Sequence, residues 1–252
     1  MVNFSLDNKI ALITGGSRGI GEAIALTLAE YGAHCILISR KIEGLETVKA
    51  KIEARGGKAE AMVCHVGNMD QIRSLFEEIE DKFGRLDILI NNAATNPYFG
   101  EMIGAEERAW NKTLEVNLKG PFFLTQYAAR LMEKGGGGAV VNVSSIVAKS
   151  PGPMQGIYSI TKAALVAMTQ AYAKELAAKK IRVNALLPGV VETKFSEALL
   201  TTDWIYDAMM QHVPLNRPAQ PDEMAGAVLY LVSDAASYTT GTTIVCDGGS
   251  LA

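Results

Sequence analysis

Tyr158 and Lys162, in Y-S-I-T-K, are the pair in this 252-residue chain whose types and spacing best suit proton transfer. Four residues apart in a predicted helix, they share one face about a turn apart. A free tyrosine, with a pKa of about 10, is a poor proton carrier at neutral pH, but a neighbouring ammonium stabilises the phenolate and is expected to lower that value. Ser145, ending a predicted strand, can donate a hydrogen bond to an oxygen whose charge changes, and Asn117, in E-V-N-L-K-G, can hold water linking Lys162 to solvent. Singly, a Tyr–Lys pair is a surface contact and a strand-end serine a cap. Their joint occurrence behind a glycine-rich turn points to one site.

That turn is T-G-G-S-R-G-I-G (14–21), with Gly15, Gly19 and Gly21 at G-x3-G-x-G spacing, after the first predicted strand and opening a helix. Glycines permit a tight turn and close approach of a pyrophosphate, and the helix N-terminus attracts its negative charge. Enzymes selective for NAD place an acid about 20 residues further on, near the end of the second strand, to bind the ribose 2′-hydroxyl. This chain has Ser39, Arg40 and Lys41 there. With Arg18 of the turn, they are expected to hold a 2′-phosphate through charge-assisted hydrogen bonds, which makes NADP(H) the expected cofactor. A merely solvated helix start is the weaker reading of Arg40 and Lys41, because cations are disfavoured at a helix N-terminus.

The elements that must position these groups follow one rhythm. Apolar, β-branched runs at 9–14, 34–39, 59–65, 87–92, 139–144, 181–187 and 243–247 alternate with helical stretches, the first from about 20 to 31. Near-continuous apolar strands suit a sheet covered on both faces. The expected fold is therefore α/β: one Rossmann-like, doubly wound domain with a seven-stranded parallel sheet and helices on both faces. Two places break the rhythm, the glycine run 135–138 and the stretch 194–214. The second carries Phe195, Leu199, Leu200, Trp204, Ile205, Met209 and Met210 and reads as a helical flap over a substrate, with a simple packed helix as the alternative.

Composition bounds the function. A net charge of −3 gives no basic footprint for nucleic acid. The absence of a positively charged start with an apolar stretch, and of any apolar run of about 18 residues, leads us to expect a soluble, cytoplasmic protein without a membrane span. Cys35, Cys64 and Cys246 are expected to be reduced core thiols, and the three histidines show no ligand spacing, so no metal is expected.

Together these residues resemble the short-chain dehydrogenase/reductase family, from about Leu6 to Gly249. The resemblance implies a cofactor site built from Gly15, Ser17, Arg18, Gly19, Ile20 and Gly21, with Asn92 and Ala93 of an N-N-A motif where Ala94 replaces the usual glycine. It implies a tetrad of Asn117, Ser145, Tyr158 and Lys162, the last two also touching cofactor, and further cofactor contacts from Pro188, Gly189, Val191 and Thr193. One position departs from the pattern: His65 stands where most members carry an acid that bonds the adenine amino group, leaving Val66 and the local backbone to hold the base. C-H-V-G-N, S-R-K and N-A-A-T-N-P-Y-F-G are similar to a branch of NADP-dependent carbonyl and retinal reductases. The expected activity is hydride transfer between NADP(H) and a small carbonyl or alcohol substrate; the expected assembly, on resemblance alone, is a homotetramer. The rivals are a 3-oxoacyl-carrier-protein reductase and a non-catalytic NADP-binding regulator.

Overall fold

The computed structural model describes residues 2–252. Seven strands, β1 (Ile10–Thr14), β2 (His34–Ser39), β3 (Lys58–Val63), β4 (Ile88–Asn91), β5 (Gly138–Val143), β6 (Ile181–Pro188) and β7 (Thr243–Cys246), form one sheet in the order β3-β2-β1-β4-β5-β6-β7. Every pairing is parallel. Strand order reverses between β1 and β4, and a crevice opens at the carboxyl ends of the strands at such a point.

Both faces of the sheet are covered, as the continuous apolar runs require. Alternate residues of each strand enter opposite cores. Ile13, Leu37, Ile90 and Val141 pack with α1 (Gly19–Glu30), α2 (Ile42–Glu53) and α9 (Ala225–Val232). Leu12, Ile36, Leu89 and Val140 pack with α3 (Met69–Phe83), α5 (Gly120–Lys134) and α6 (Gly156–Leu176). Between them in the chain, α4 (Glu107–Leu114) runs into α5 through a π-helical turn, Glu115–Lys119.

Some boundaries differ from expectation for local reasons. The third strand stops at Val63, because Asn68 caps α3 by accepting from the N–H groups of Asp70 and Gln71, and the chain turns before it. The 194–214 stretch holds two short helices, α7 (Glu197–Leu200) and α8 (Asp203–Met210). All three cysteines are free; Cys35 and Cys64 are buried, which pushes their thiols up to about 12 and about 11, while Cys246 is only half-buried.

Candidate active site

The glycine turn is shaped by close backbone approach. Gly15 and Gly19 have φ of +67° and +58°, the left-handed region. A Cβ on Gly21 would lie 2.3 Å from the Gly15 carbonyl oxygen and 2.5 Å from Asn92 Nδ2. Asn92 in turn donates from Nδ2 to the Thr14 carbonyl at 2.9 Å, and Thr14 Oγ1 accepts from the N–H groups of Asn92 and Ala93 at 2.8 and 2.9 Å. Thr14 at the end of β1 and the segment after β4 are thus tied across the point of reversal. Thr193 closes the far side: its Cγ2 lies 3.2 Å from where a Cβ on Gly19 would be. This cradle, open at the start of α1, fits a dinucleotide diphosphate.

Beyond the turn, Arg18, Arg40 and Lys41 are exposed, and none of them makes an ion pair among the described residues. Lys41 is the N-cap of α2, with no side-chain cap hydrogen bond. The Ser39 hydroxyl donates to the Lys41 carbonyl at 2.8 Å, in the turn that leads into α2. Ser17 packs against α2, 3.0 Å from the position of a Cβ on Gly44. Pro188 ends β6, and Gly189 follows where a Cβ would fall 2.7 Å from Asp247 Cα. Val66 is buried, Ile20 packs on the core, and Val191 bridges to Ala219.

Tyr158 and Lys162 lie in the first turns of α6 and are 8% and 2% exposed. Lys162 Nζ stands 5.4 Å from the centre of the Tyr158 ring and donates to the Val143 carbonyl at the end of β5, at 2.8 Å. Ser144 Oγ donates to the Lys162 carbonyl at 2.9 Å, which fixes the helix against the strand. Ser145 comes next, half-buried, its Oγ accepting only a long 3.3 Å bond from the Val147 N–H, so its proton is free for a ligand. Three of the four expected groups are therefore held at one strand end.

Their electrostatics differ from the simple expectation. Desolvation dominates: it raises the Tyr158 phenol well above its ordinary value and lowers the Lys162 ammonium to about 7. The buried lysine does not by itself make Tyr158 acidic. It leaves a neutral phenol, ready to donate, beside an amine that can charge as negative charge appears nearby.

Asn117 sits in the π-helical turn, buried, with both amide protons used: Nδ2 donates to the Thr95 carbonyl at 2.9 Å and to Thr161 Oγ1 at 3.2 Å, and Oδ1 accepts from Thr95 N–H at 2.8 Å. Its side chain fastens the segment after β4 to α6; only an oxygen lone pair remains for the expected water. Thr95, Thr161 and Ser196 were not legible in the sequence as site residues. Ser196 Oγ accepts from Thr193 N–H at 3.1 Å and fixes the backbone beside the turn.

The 194–214 segment reaches this site. The Phe195 ring lies 5.8 Å from that of Tyr158, and Phe195 and Trp204 remain 54% and 70% exposed. The two ends of this segment are pinned by Glu192 N–H to the Ala219 carbonyl (2.8 Å), Ala219 N–H to the Val190 carbonyl (2.9 Å) and Gln220 Nε2 to Glu192 Oε2 (2.6 Å). Among the described residues no helix is long and apolar enough to cross a membrane, and no group of three His, Cys, Asp or Glu could hold a metal.

Residues 15–250 match a family model described as enoyl-(acyl carrier protein) reductase. Human dehydrogenase/reductase SDR family member 4 is 41% identical over 97% of this chain and 88% of that protein. The 3-oxoacyl-[acyl-carrier-protein] reductase FabG of Thermotoga maritima is 38% identical over 97% and 98%. Among solved structures, a gluconate 5-dehydrogenase from Burkholderia cenocepacia, in complex with NADP and tartrate, is similar with a TM-score of 0.94 and 33% identity over 98% and 97% of the two chains. A short-chain type dehydrogenase/reductase from Mycobacterium marinum gives 0.93 and 36%, over the same shares. With this fold, this glycine cradle and relatives matched over nearly its whole length, the chain belongs to the short-chain dehydrogenase/reductase family of oxidoreductases.

Proposed function

We propose that this chain is an NADPH-dependent carbonyl reductase, one cofactor-binding domain whose 194–214 flap covers the substrate. The observation that carries the reading is the meeting of Tyr158, Lys162 and the free Ser145 hydroxyl at the end of β5, beside the glycine cradle. The choice of NADPH is supported by Arg40 and Lys41 at the end of β2, where an NAD enzyme would carry an acid, with Arg18 in the glycine turn, and by a related structure that holds NADP.

The N–H groups of Gly19, Ile20 and Gly21 would hold the cofactor's diphosphate, with Asn92, Ala93, Gly189, Val191 and Thr193 as the further residues that would contact it. Bound there, it supplies the hydride. Ser145 Oγ and Tyr158 Oη donate to the substrate carbonyl oxygen. Tyr158 gives up its proton as that oxygen becomes an alkoxide, and Lys162, charging at about pH 7, stabilises the resulting phenolate. Asn117 keeps α6 in register with the segment after β4. The exposed apolar side chains of Phe195 and Trp204 favour a substrate with apolar bulk.

A 3-oxoacyl-carrier-protein reductase is the second reading, favoured by the Thermotoga maritima relative. Against it, the flap's exposed charges are Lys194 against Glu197, Asp203 and Asp207, a poor face for an acidic carrier. A screen of NADPH consumption over aromatic ketones, α-diketones, retinal and β-ketoacyl thioesters separates the two: turnover confined to thioesters contradicts our reading, and no turnover on any of them favours a non-catalytic regulator. The family resemblance also leads us to propose a homotetramer, testable by sedimentation, and a cytoplasmic location, testable by fractionation.

A further inference from the structure

Ser196 stands at the N-cap of α7, the first short helix of the 194–214 segment. A serine there ordinarily turns its hydroxyl onto the first N–H groups of its own helix. This one makes no such bond, and its hydroxyl points back up the chain. Ser196 Oγ donates to the Val191 carbonyl, its nearer acceptor, with the Thr193 carbonyl 3.1 Å away as the farther one. It accepts from the Thr193 N–H at 3.1 Å and lies 3.2 Å from Thr193 Oγ1. The Ser196 N–H donates in turn to the Thr193 carbonyl at 3.1 Å. The turn 193–196 is therefore closed once through the backbone and again through a side chain.

Both anchors of this knot are fixed. Val191 is buried and bridges to Ala219, and Thr193 rests against the glycine turn, its Cγ2 3.2 Å from the position of a Cβ on Gly19. Inside the turn sits Phe195. Its ring is 54% exposed, so burial does little to hold it, yet it lies 5.8 Å from the ring of Tyr158. The neighbouring Ser196 is 9% exposed, which makes its hydroxyl the buried polar group that ties this stretch of chain down.

Accepting the carbonyl-reductase reading above, an apolar ring beside Tyr158 decides which substrates lie well against the proton donor. We propose that Ser196 is a positioning residue for substrate choice: by closing the 193–196 turn, its hydroxyl holds Phe195 at Tyr158 and so sets the preference for carbonyls of apolar bulk over small ones. Without that hydroxyl the Thr193 N–H loses its acceptor and one backbone bond alone closes the turn. An exposed ring on a looser turn then spreads over several orientations.

The test compares kcat/KM for a bulky aromatic ketone with that for a small aliphatic one, in the wild type, Ser196→Ala, Phe195→Ala and the double variant. Ser196→Cys replaces Ser196→Ala should the alanine fail to fold by circular dichroism. A general loss of structure or of cofactor binding lowers both values alike, whereas a loss of positioning changes their ratio. We expect Ser196→Ala and Phe195→Ala each to lower the bulky-to-small ratio about fivefold. Because the hydroxyl acts through the ring, the double variant should lie within about twofold of Phe195→Ala alone. An unchanged ratio in Ser196→Ala, or effects that multiply in the double variant, overturns the proposal. A wild type that turns over no ketone contradicts the carbonyl-reductase reading instead. The knot is then read from hydrogen exchange of the amides of residues 193–200 in the cofactor-free protein: Ser196→Ala should speed it at least about tenfold, and equal rates overturn the positioning role.

Discussion

Lys162 points its ammonium at the Val143 carbonyl, 2.8 Å away, while standing 5.4 Å from the centre of the Tyr158 ring. The helix therefore brings a cation donor and a phenol together at the end of β5, and the strand holds the cation in place. Both are buried, so each resists charging alone.

The cost of burying Lys162 has a measurable sign. Its native pKa of about 7 lies below its unfolded value of about 10.4, so between those values the unfolded chain binds a proton that the folded chain lacks. Stability from this group rises with pH across that window and is least below pH 7. Lys162→Met should raise Tm at pH 7, on the order of 5 °C, and the gap should narrow as pH climbs toward 10. Calorimetry at several pH values checks this; a gap that widens with pH contradicts it.

Arg40 should discriminate cofactors. On the proposed role of Arg40 as a partner of the 2′-phosphate, replacing it with alanine should lower NADPH affinity about 10- to 100-fold and leave NADH affinity nearly unchanged. Titration of each cofactor by fluorescence reads the split, and equal losses for both would show Arg40 to be only structural.

Gly21 tolerates no side chain. A Cβ there meets the Gly15 carbonyl oxygen at 2.3 Å, so Gly21→Ala must displace the turn. We expect cofactor binding to be lost and Tm to fall by several degrees, about 2–4 °C per kcal/mol. Wild-type affinity in that variant would mean that the turn is not the cradle.

Phe195 touches Tyr158 from the flap. Phe195→Ala should raise KM for apolar ketones about 5- to 10-fold, in line with the loss of about 1 kcal/mol of aromatic contact, and leave the dissociation constant of NADPH unchanged. Steady-state kinetics paired with a cofactor titration reports both.

Much of this architecture was legible in the sequence, because its signals are local. A parallel strand covered on both faces is apolar throughout, and the seven runs stood out for that reason. The turn from Thr14 to Gly21 announces itself by its closely spaced glycines, and Tyr158 and Lys162 by helical spacing. Other features depend on what tertiary structure brings together. Asn117 is bonded to Thr95 and Thr161, partners 22 and 44 residues away that no local spacing encodes. The direction of the Tyr158 shift was likewise hidden, since it depends on how deeply the helix is buried and not on which residue lies four positions on. Ser196 beside Thr193 gave no signal, for a serine in an apolar flap looks like any cap.

The most direct test of the central claim is the rate of Tyr158→Phe. The ring and its packing against Phe195 are kept and only the hydroxyl goes, so the dissociation constant of NADPH should match the wild type, while kcat on any ketone the wild type reduces should fall at least about 10³-fold. A folded Tyr158→Phe protein that binds NADPH and turns over near the wild-type rate would contradict the account.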